Sequence, residues 1–341
     1  MYAMAALPEG KEKLATEEPF EVIARRAMNV LASTPLETGD YIANGLWGHE
    51  FAARLTDPGQ RDGFFVLDVR SRDAFDEGHI EGAVHIEFAE WASSENLARL
   101  PRDTKIAVIC ETGLEAAQVV AGLRMLGYDA VVPKTGINGW TRSSAAEKLL
   151  QELQSVKHPV KRVPPVENFA KASGEAVFDR PHEDDYRIIA SRIHEVFSGA
   201  GSDEAGSDEA GSEGSASGNK GRHLIGAGEL LAKLLDENER EEIFLLDLRR
   251  EEDFEGVGHI AGALRLDFDA AAVPENLELL PRDRKIVTIC YTGNLAAQLT
   301  AVLRMLGYDA AALTYGMVGW TRTPTTYQYI KDLQKADNPL V

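Results

Sequence analysis

Leu100–Ser143 reads LPRDTKIAVICETGLEAAQVVAGLRMLGYDAVVPKTGINGWTRS, and Leu280–Thr323 reads LPRDRKIVTICYTGNLAAQLTAVLRMLGYDAAALTYGMVGWTRT. The two stretches are related by a shift of 180 residues, and from the cysteine onward 20 of 34 positions are identical. Chance does not produce that match, so the chain carries one unit twice. Each copy has a short run that is apolar on both faces, Ile106–Ile109 and Ile286–Ile289, which suits a buried parallel strand. Past the cysteine the period changes. Ala116, Val119, Val120, Leu123 and Leu126 fall at helical spacing, as do Ala296, Leu299, Leu303 and Leu306. Gly127 and Gly307 suit the helix C-terminus, and a further strand is expected at Ala130–Val132 and Ala310–Leu313.

The duplication extends upstream. FFVLDVR, ending at Arg70, matches IFLLDLR, ending at Arg249; EGHIEGA at Glu77–Ala83 matches VGHIAGA at Val257–Ala263. FEVIARRAMNVL from Phe20 resembles YRIIASRIHEVF from Tyr186, and both read as packing helices. The offset falls from 179 at the DVR/DLR pair to 166 at the helix pair. The second copy therefore gained about 13 residues, visible as GSDEAGSDEAGSEGSASG at Gly201–Gly218. Such a tract cannot bury apolar surface and reads as a solvated insertion. The domain plan is an N-terminal extension (1–19), a first domain (20–150), a connector (151–183) that contains HPVKRVPP and wraps over the surface, and a second domain (184–341) with the acidic Gly/Ser insertion at 201–219. Strands alternating with helices predict an α/β fold, two tandem domains that are each a mostly parallel sheet flanked by helices. Each half is long enough to hold its own core.

Bulk composition narrows the function. The 341 residues are 44% hydrophobic and 27% charged, which is globular. With 36 Lys+Arg against 55 Asp+Glu the net charge is -19, which disfavours nucleic acid and anionic membrane as partners. Two distant cysteines make no disulfide framework, and without CxxC or paired Cys/His spacing no metal is expected. No signal peptide and no transmembrane run is read. A cytoplasmic protein with reduced thiols is expected.

The chemistry falls on the two cysteines. Cys110 and Cys290 each end a strand where a tight loop turns into a helix. Ligands of open α/β sheets bind at the carboxyl ends of the strands. Loop amides and a helix N-terminus there form a positive nest, expected to lower the thiol pKa and favour a nucleophilic thiolate. The loop residues are Glu111, Thr112, Gly113, Leu114 and Glu115 in the first copy, and Tyr291, Thr292, Gly293, Asn294 and Leu295 in the second. Gly113 and Gly293 let the backbone curl.

These motifs in this order, D-V-R, E-G-H-I-x-G-A, V-I-C-x-T-G, L-G-Y and G-x-x-G-W, resemble the rhodanese family, and the resemblance covers most of both halves. It implies a sulfurtransferase. The cysteine would take sulfane sulfur from a donor (thiosulfate, mercaptopyruvate or a persulfide), hold it as a persulfide stabilised by loop amides, and pass it to a thiol or cyanide acceptor. No cofactor is implied. Many family members carry arginine five residues after the cysteine, where this chain has Glu115 and Leu295. That departure puts thiosulfate in doubt. Glu111 and Glu115 beside the first cysteine should raise its pKa and repel anions, so Cys290 ranks above Cys110.

Among supporting residues, Asp68/Arg70 and Asp247/Arg249 read as structural ion pairs at a strand end. His79 and His259, each 31 residues before a cysteine, read as turn residues rather than catalytic bases. Trp140 and Trp320 read as packing residues, and Arg142 and Arg322 are candidates to add positive charge to the cleft. A cysteine phosphatase needs C-x5-R, and neither loop has that arginine. The other alternative is a non-catalytic binding or sulfur-relay module for a protein partner.

Overall fold

A computed structural model describes residues 19–33, 44–162, 169–171, 179–198 and 223–341. The acidic tract at 201–218 and nearly all of the N-terminal extension lie outside the described residues. In the first half, β1 (Gly45–Leu46), β2 (Phe64–Asp68), β3 (Val84–His85), β4 (Lys105–Ile109) and β5 (Ala130–Pro133) form a five-stranded sheet in the order β1-β5-β4-β2-β3, all parallel. The second half repeats it with β6 (Leu224–Ile225), β7 (Ile243–Asp247), β8 (Leu264–Arg265), β9 (Lys285–Ile289) and β10 (Ala310–Leu313), in the order β6-β10-β9-β7-β8. The apolar runs at β4 and β9 are central strands covered on both faces, which is why they lack alternation.

Each half keeps a core of its own on one face of its sheet, around Phe51 and Trp140 in the first and Phe254 and Trp320 in the second, while the other faces share one. One continuous cluster of buried side chains runs from Val22 and Trp91 in the first half to Leu246 and Phe268 in the second. At its centre the helices Leu114–Met125 and Asn294–Met305 pack against each other. Every residue of the first is buried, and of the second all but Arg304. A helix pressed between its own sheet and a partner helix has no solvent face, which explains sequences apolar nearly all round. Each half thus has the core expected of it and, in addition, a larger one shared with the other half.

Exchange of segments ties the halves further. The helix Pro19–Ala32 packs on the turn Phe268–Ala270 of the second half. The helix Glu183–Phe197 sends Phe197 against Phe88 and Trp91 of the first. Beyond the last helix of each half, the tails also cross. The indole Nε1 of Trp320 donates to Pro159 O at 2.9 Å, and Lys161 pairs with His259 through two backbone bonds of 2.7 and 2.8 Å. Symmetrically, Trp140 Nε1 donates to Pro339 O at 2.9 Å, and Val341 pairs with His79 at 3.0 and 3.1 Å. The connector expected to lie on the surface thus begins as a strap on the second half, and the C-terminal residues strap the first. Trp140 and Trp320 are packing residues, as read from the sequence, and each also anchors the other half's tail.

Candidate functional site

Both cysteines follow the last residue of a central strand. Gly113 (φ 86°) and Gly293 (φ 91°) occupy the left-handed region at the N-cap of the next helix, a conformation that favours glycine. This turn aims amide hydrogens at sulfur. Gly113 N and Ala116 N donate to Cys110 Sγ at 3.1 and 3.3 Å, and Gly293 N and Ala296 N to Cys290 Sγ at 3.2 and 3.4 Å. The G-x-x-G-W segment holds the turn from behind. Ile137 N donates to Cys110 O at 2.9 Å and Met317 N to Cys290 O at 2.8 Å. A Cβ on Gly136 or Gly316 would stand 2.3 Å from the respective cysteine carbonyl oxygen, so the close pass requires glycine.

Each sulfur is surrounded by amides yet sealed, with Cys110 at 0% and Cys290 at 1% exposure. Burial dominates the electrostatics. It pushes the Cys110 thiol up to about 12, with the Glu115 carboxylate adding to the rise and the amides of Ala116, Thr112 and Gly113 opposing it. Burial also raises Cys290, opposed by the amides of Ala296, Gly293, Thr292 and Leu295. The lowered thiol pKa expected from the nest is therefore corrected for this closed form: desolvation of the anion outweighs the amide dipoles. Of the two acidic neighbours expected to act on Cys110, Glu115 does. Glu111 is half exposed, with its carboxylate 3.8 Å from Arg70 Nη1.

The supporting residues fall where a structural role puts them. Asp68 accepts from Arg70 N, Nε and Nη2 at 3.0, 3.0 and 2.7 Å, and the same Nη2 donates to Gly78 O at 2.8 Å. Asp247 and Arg249 repeat this at 3.0, 3.0 and 2.7 Å, with Gly258 O at 2.9 Å. Each fork clamps a strand end to the G-H-I turn. His79 stacks on Phe75 with centroids 3.8 Å apart, its Nδ1 3.0 Å from Phe75 O; His259 stacks on Phe254 at 3.7 Å, its Nδ1 3.0 Å from Phe254 O. Both rings are occupied in their turns. Arg142 and Arg322 donate to Gln334 O and Gln154 O, fastening the other half's last helix instead of charging a cleft.

The two cysteine loops meet across the interface. Asn294 Nδ2 donates to Gly113 O at 3.1 Å, and a Cβ on Gly293 would lie 2.7 Å from Leu114 Cδ2. Their mouths differ. A cleft of about 310 Å3 opens over the second loop at Tyr291 and Thr292. Its far wall is Trp47 and Lys134 of the first half, with Lys134 Nζ 4.0 Å from the Trp47 ring centre. Tyr291 Oη donates to Asp253 Oδ2 and accepts from Arg250 N at 3.3 Å. At the first loop, burial raises the Tyr315 and Tyr329 phenols, with Cys110 a lesser contributor to both, and Tyr329 is fully buried. Tyr315 stands at φ 59°, a strained setting for a bulky side chain.

Sequence reading missed Trp47, Lys134, Arg250 and Asp253. The usable signal was divergence between the copies. Trp47, the N-cap of its helix, corresponds to Gly226, and Lys134 to Thr314.

Comparison with known proteins agrees with this architecture. The model of the rhodanese-like domain matches residues 49–143 and again 228–323. A Mycobacterium tuberculosis protein described as a probable adenylyltransferase/sulfurtransferase, MoeZ, is 33% identical over 86 residues, 25% of this chain and 22% of that protein. The chain thus spans about a fifth of the length of the curated relatives it matches. Among solved structures, the SSP1007 protein of Staphylococcus saprophyticus is 27% identical with a TM-score of 0.25, over 28% of this chain and 89% of its own. The thiosulfate sulfurtransferase of Pseudomonas aeruginosa is 17% identical with a TM-score of 0.28, over 94% of this chain and 49% of its own.

Proposed function

Because the chain belongs to the rhodanese-like domain family, we propose that it is a sulfurtransferase that carries sulfane sulfur as a cysteine persulfide, with Cys290 as the principal carrier and Cys110 the lesser one. The observation that carries this reading is the pair of amides aimed at each sulfur from a C-x-T-G turn at a strand's carboxyl end. Cys290 gives its thiol proton to solvent, and the thiolate attacks the outer sulfur of the donor. An S–S bond to Sγ forms while the donor's own bond to that sulfur breaks, its electron pair leaving with the donor remnant. An acceptor thiolate then takes the outer sulfur and restores the Cys290 thiolate. The amides already facing Sγ hold the negative charge in both directions.

Cys290 ranks first because the Glu115 carboxylate raises Cys110 further, whereas Cys290 is raised by burial against four loop and helix amides, and because the cleft reaches its loop. The sulfur lies behind Tyr291 and Thr292, so transfer requires that loop to part when a donor enters. A cytoplasmic setting accords with two free cysteines. Among the described residues no helix is long and apolar enough to cross a membrane.

Incubation with thiosulfate, mercaptopyruvate or a persulfide donor, followed by mass mapping of the cysteine peptides, should show a gain of one sulfur on Cys290. No gain at either cysteine with any donor would sink the proposal. The complete burial of both thiols favours one other reading, a binding module for a protein partner. In that case Cys290→Ser would leave function in the cell intact.

A further inference from the structure

The loop arginine that the family commonly uses is absent from both halves, and the cleft at the second site is lined by Arg249 and Arg250 of its own half and by Lys134 of the first. Lys134 follows β5 of the first half, and its backbone carbonyl backs the first cysteine loop, where a Cβ on Gly113 would come within 2.5 Å of it. Its side chain leaves that loop and lines the cleft over Tyr291 and Thr292. The residue is only 5% exposed, and its ammonium lies against the Trp47 ring. Trp47 is 4% exposed, and its buried indole Nε1–H has no hydrogen-bond partner among the described residues. A desolvated donor without an acceptor is costly to leave unmade. Beside a cation, it marks a place for an anionic oxygen. The second half cannot offer the first site the same wall, since Gly226 and Thr314 stand at the corresponding positions.

We infer that Lys134 and Trp47 form an anion-binding subsite for the Cys290 loop, and that the sulfur donor bound there is a low-molecular-weight thiol persulfide bearing a carboxylate. This deepens the sulfurtransferase reading and rests on it. A cleft of about 310 Å3 falls in the range of small-molecule sites and has room beyond a bare oxyanion. Lys134 is a binding residue in this scheme, and the charge on Sγ stays with the loop amides.

The test compares donors and uses a ligand that cannot transfer sulfur. With glutathione persulfide, Lys134→Gln should raise the donor concentration giving half-maximal sulfur loading of Cys290 about tenfold, the loss of one charge-assisted contact. The maximal rate should hold, the persulfide of 2-mercaptoethanol, which has no carboxylate, should be unaffected, and Lys134→Arg should restore most of the loss. Equal weakening for both donors, or no change with either, overturns the inference. Titration with S-methylglutathione reads the subsite without transfer: about tenfold weaker binding to Lys134→Gln than to the wild type supports it. Equal binding, or none to the wild type, overturns it. If binding behaves as expected and no donor loads either cysteine, the sulfurtransferase reading fails and the carboxylate subsite stands.

Discussion

The two cysteine loops share one backbone and differ in what stands around it. Strand, turn, left-handed glycine, two amides on sulfur and the glycine-backed carbonyl recur with hydrogen-bond lengths that agree within about 0.1 Å. Around Cys110 stand the Glu115 carboxylate and two phenols from the other half. Around Cys290 stand neutral loop residues and a cleft walled by Trp47 and Lys134. Duplication preserved the part that must fit the fold and left the mouths free to diverge. The largest expected effect tests that division of labour. Cys290→Ser should remove most of the sulfur transfer measured with any productive donor, whereas Cys110→Ser should leave most of it. The reverse result, read by acceptor product formed per minute, would break the ranking of the sites.

The scaffold should respond symmetrically where the mouths do not. Trp140 and Trp320 are both buried and both clasp a tail of the other half through Nε1. Trp140→Ala and Trp320→Ala should each cost about 3–5 kcal/mol of stability in denaturant titration, as large core truncations do. With one cluster running through both halves, each variant should still unfold in a single transition. Two separate transitions would show that the halves are independent after all.

The same split governs what could be read from the chain alone. The strand ends, the helix starts and the C-x-T-G turns were legible because each is local and appears twice, so every assignment had an internal check. Lys157–Lys161 and Asp337–Val341 repeat only a proline at one register, Pro159 and Pro339. Nothing in so thin a pattern says that each lies on the other half. The sealed thiols were not legible either. Nest geometry follows from the turn, but burial follows from the opposing half, which brings Leu114 and Asn294 against the partner loop. Trp47 and Lys134 reach the second site only through the assembly of both halves.

Burial of the thiols makes stability depend on pH with a definite sign. A Cys110 thiol moves from an ordinary value of 9.0 to about 12 on folding. Between these values the unfolded chain has lost the proton that the folded chain keeps, so stability falls as pH rises. By pH 10 the loss from this group is about 1.4 kcal/mol relative to neutral pH. Cys290 acts in the same direction. Chemical denaturation at a series of pH values should show the decline in the wild type and a shallower one in Cys110→Ser. An unchanged slope in the variant would mean that the thiol is not sealed in solution.

The smallest expected effect isolates one charge. Glu115 is buried beside Cys110 and raises its thiol, while the corresponding residue at Cys290 is Leu295. Removing the like charge lowers the cost of forming the anion. Glu115→Gln should therefore speed alkylation of Cys110 by iodoacetamide at pH 8.5 roughly three- to tenfold, since rate follows thiolate fraction. Cys290 in the same molecules serves as the internal control and should not change. Desolvation remains in both proteins, so the variant's Cys110 should approach Cys290 in rate and not overtake it. If Glu115→Gln leaves the ratio of the two rates untouched, the contrast between the sites lies in access through their mouths, and the carboxylate has no part in it.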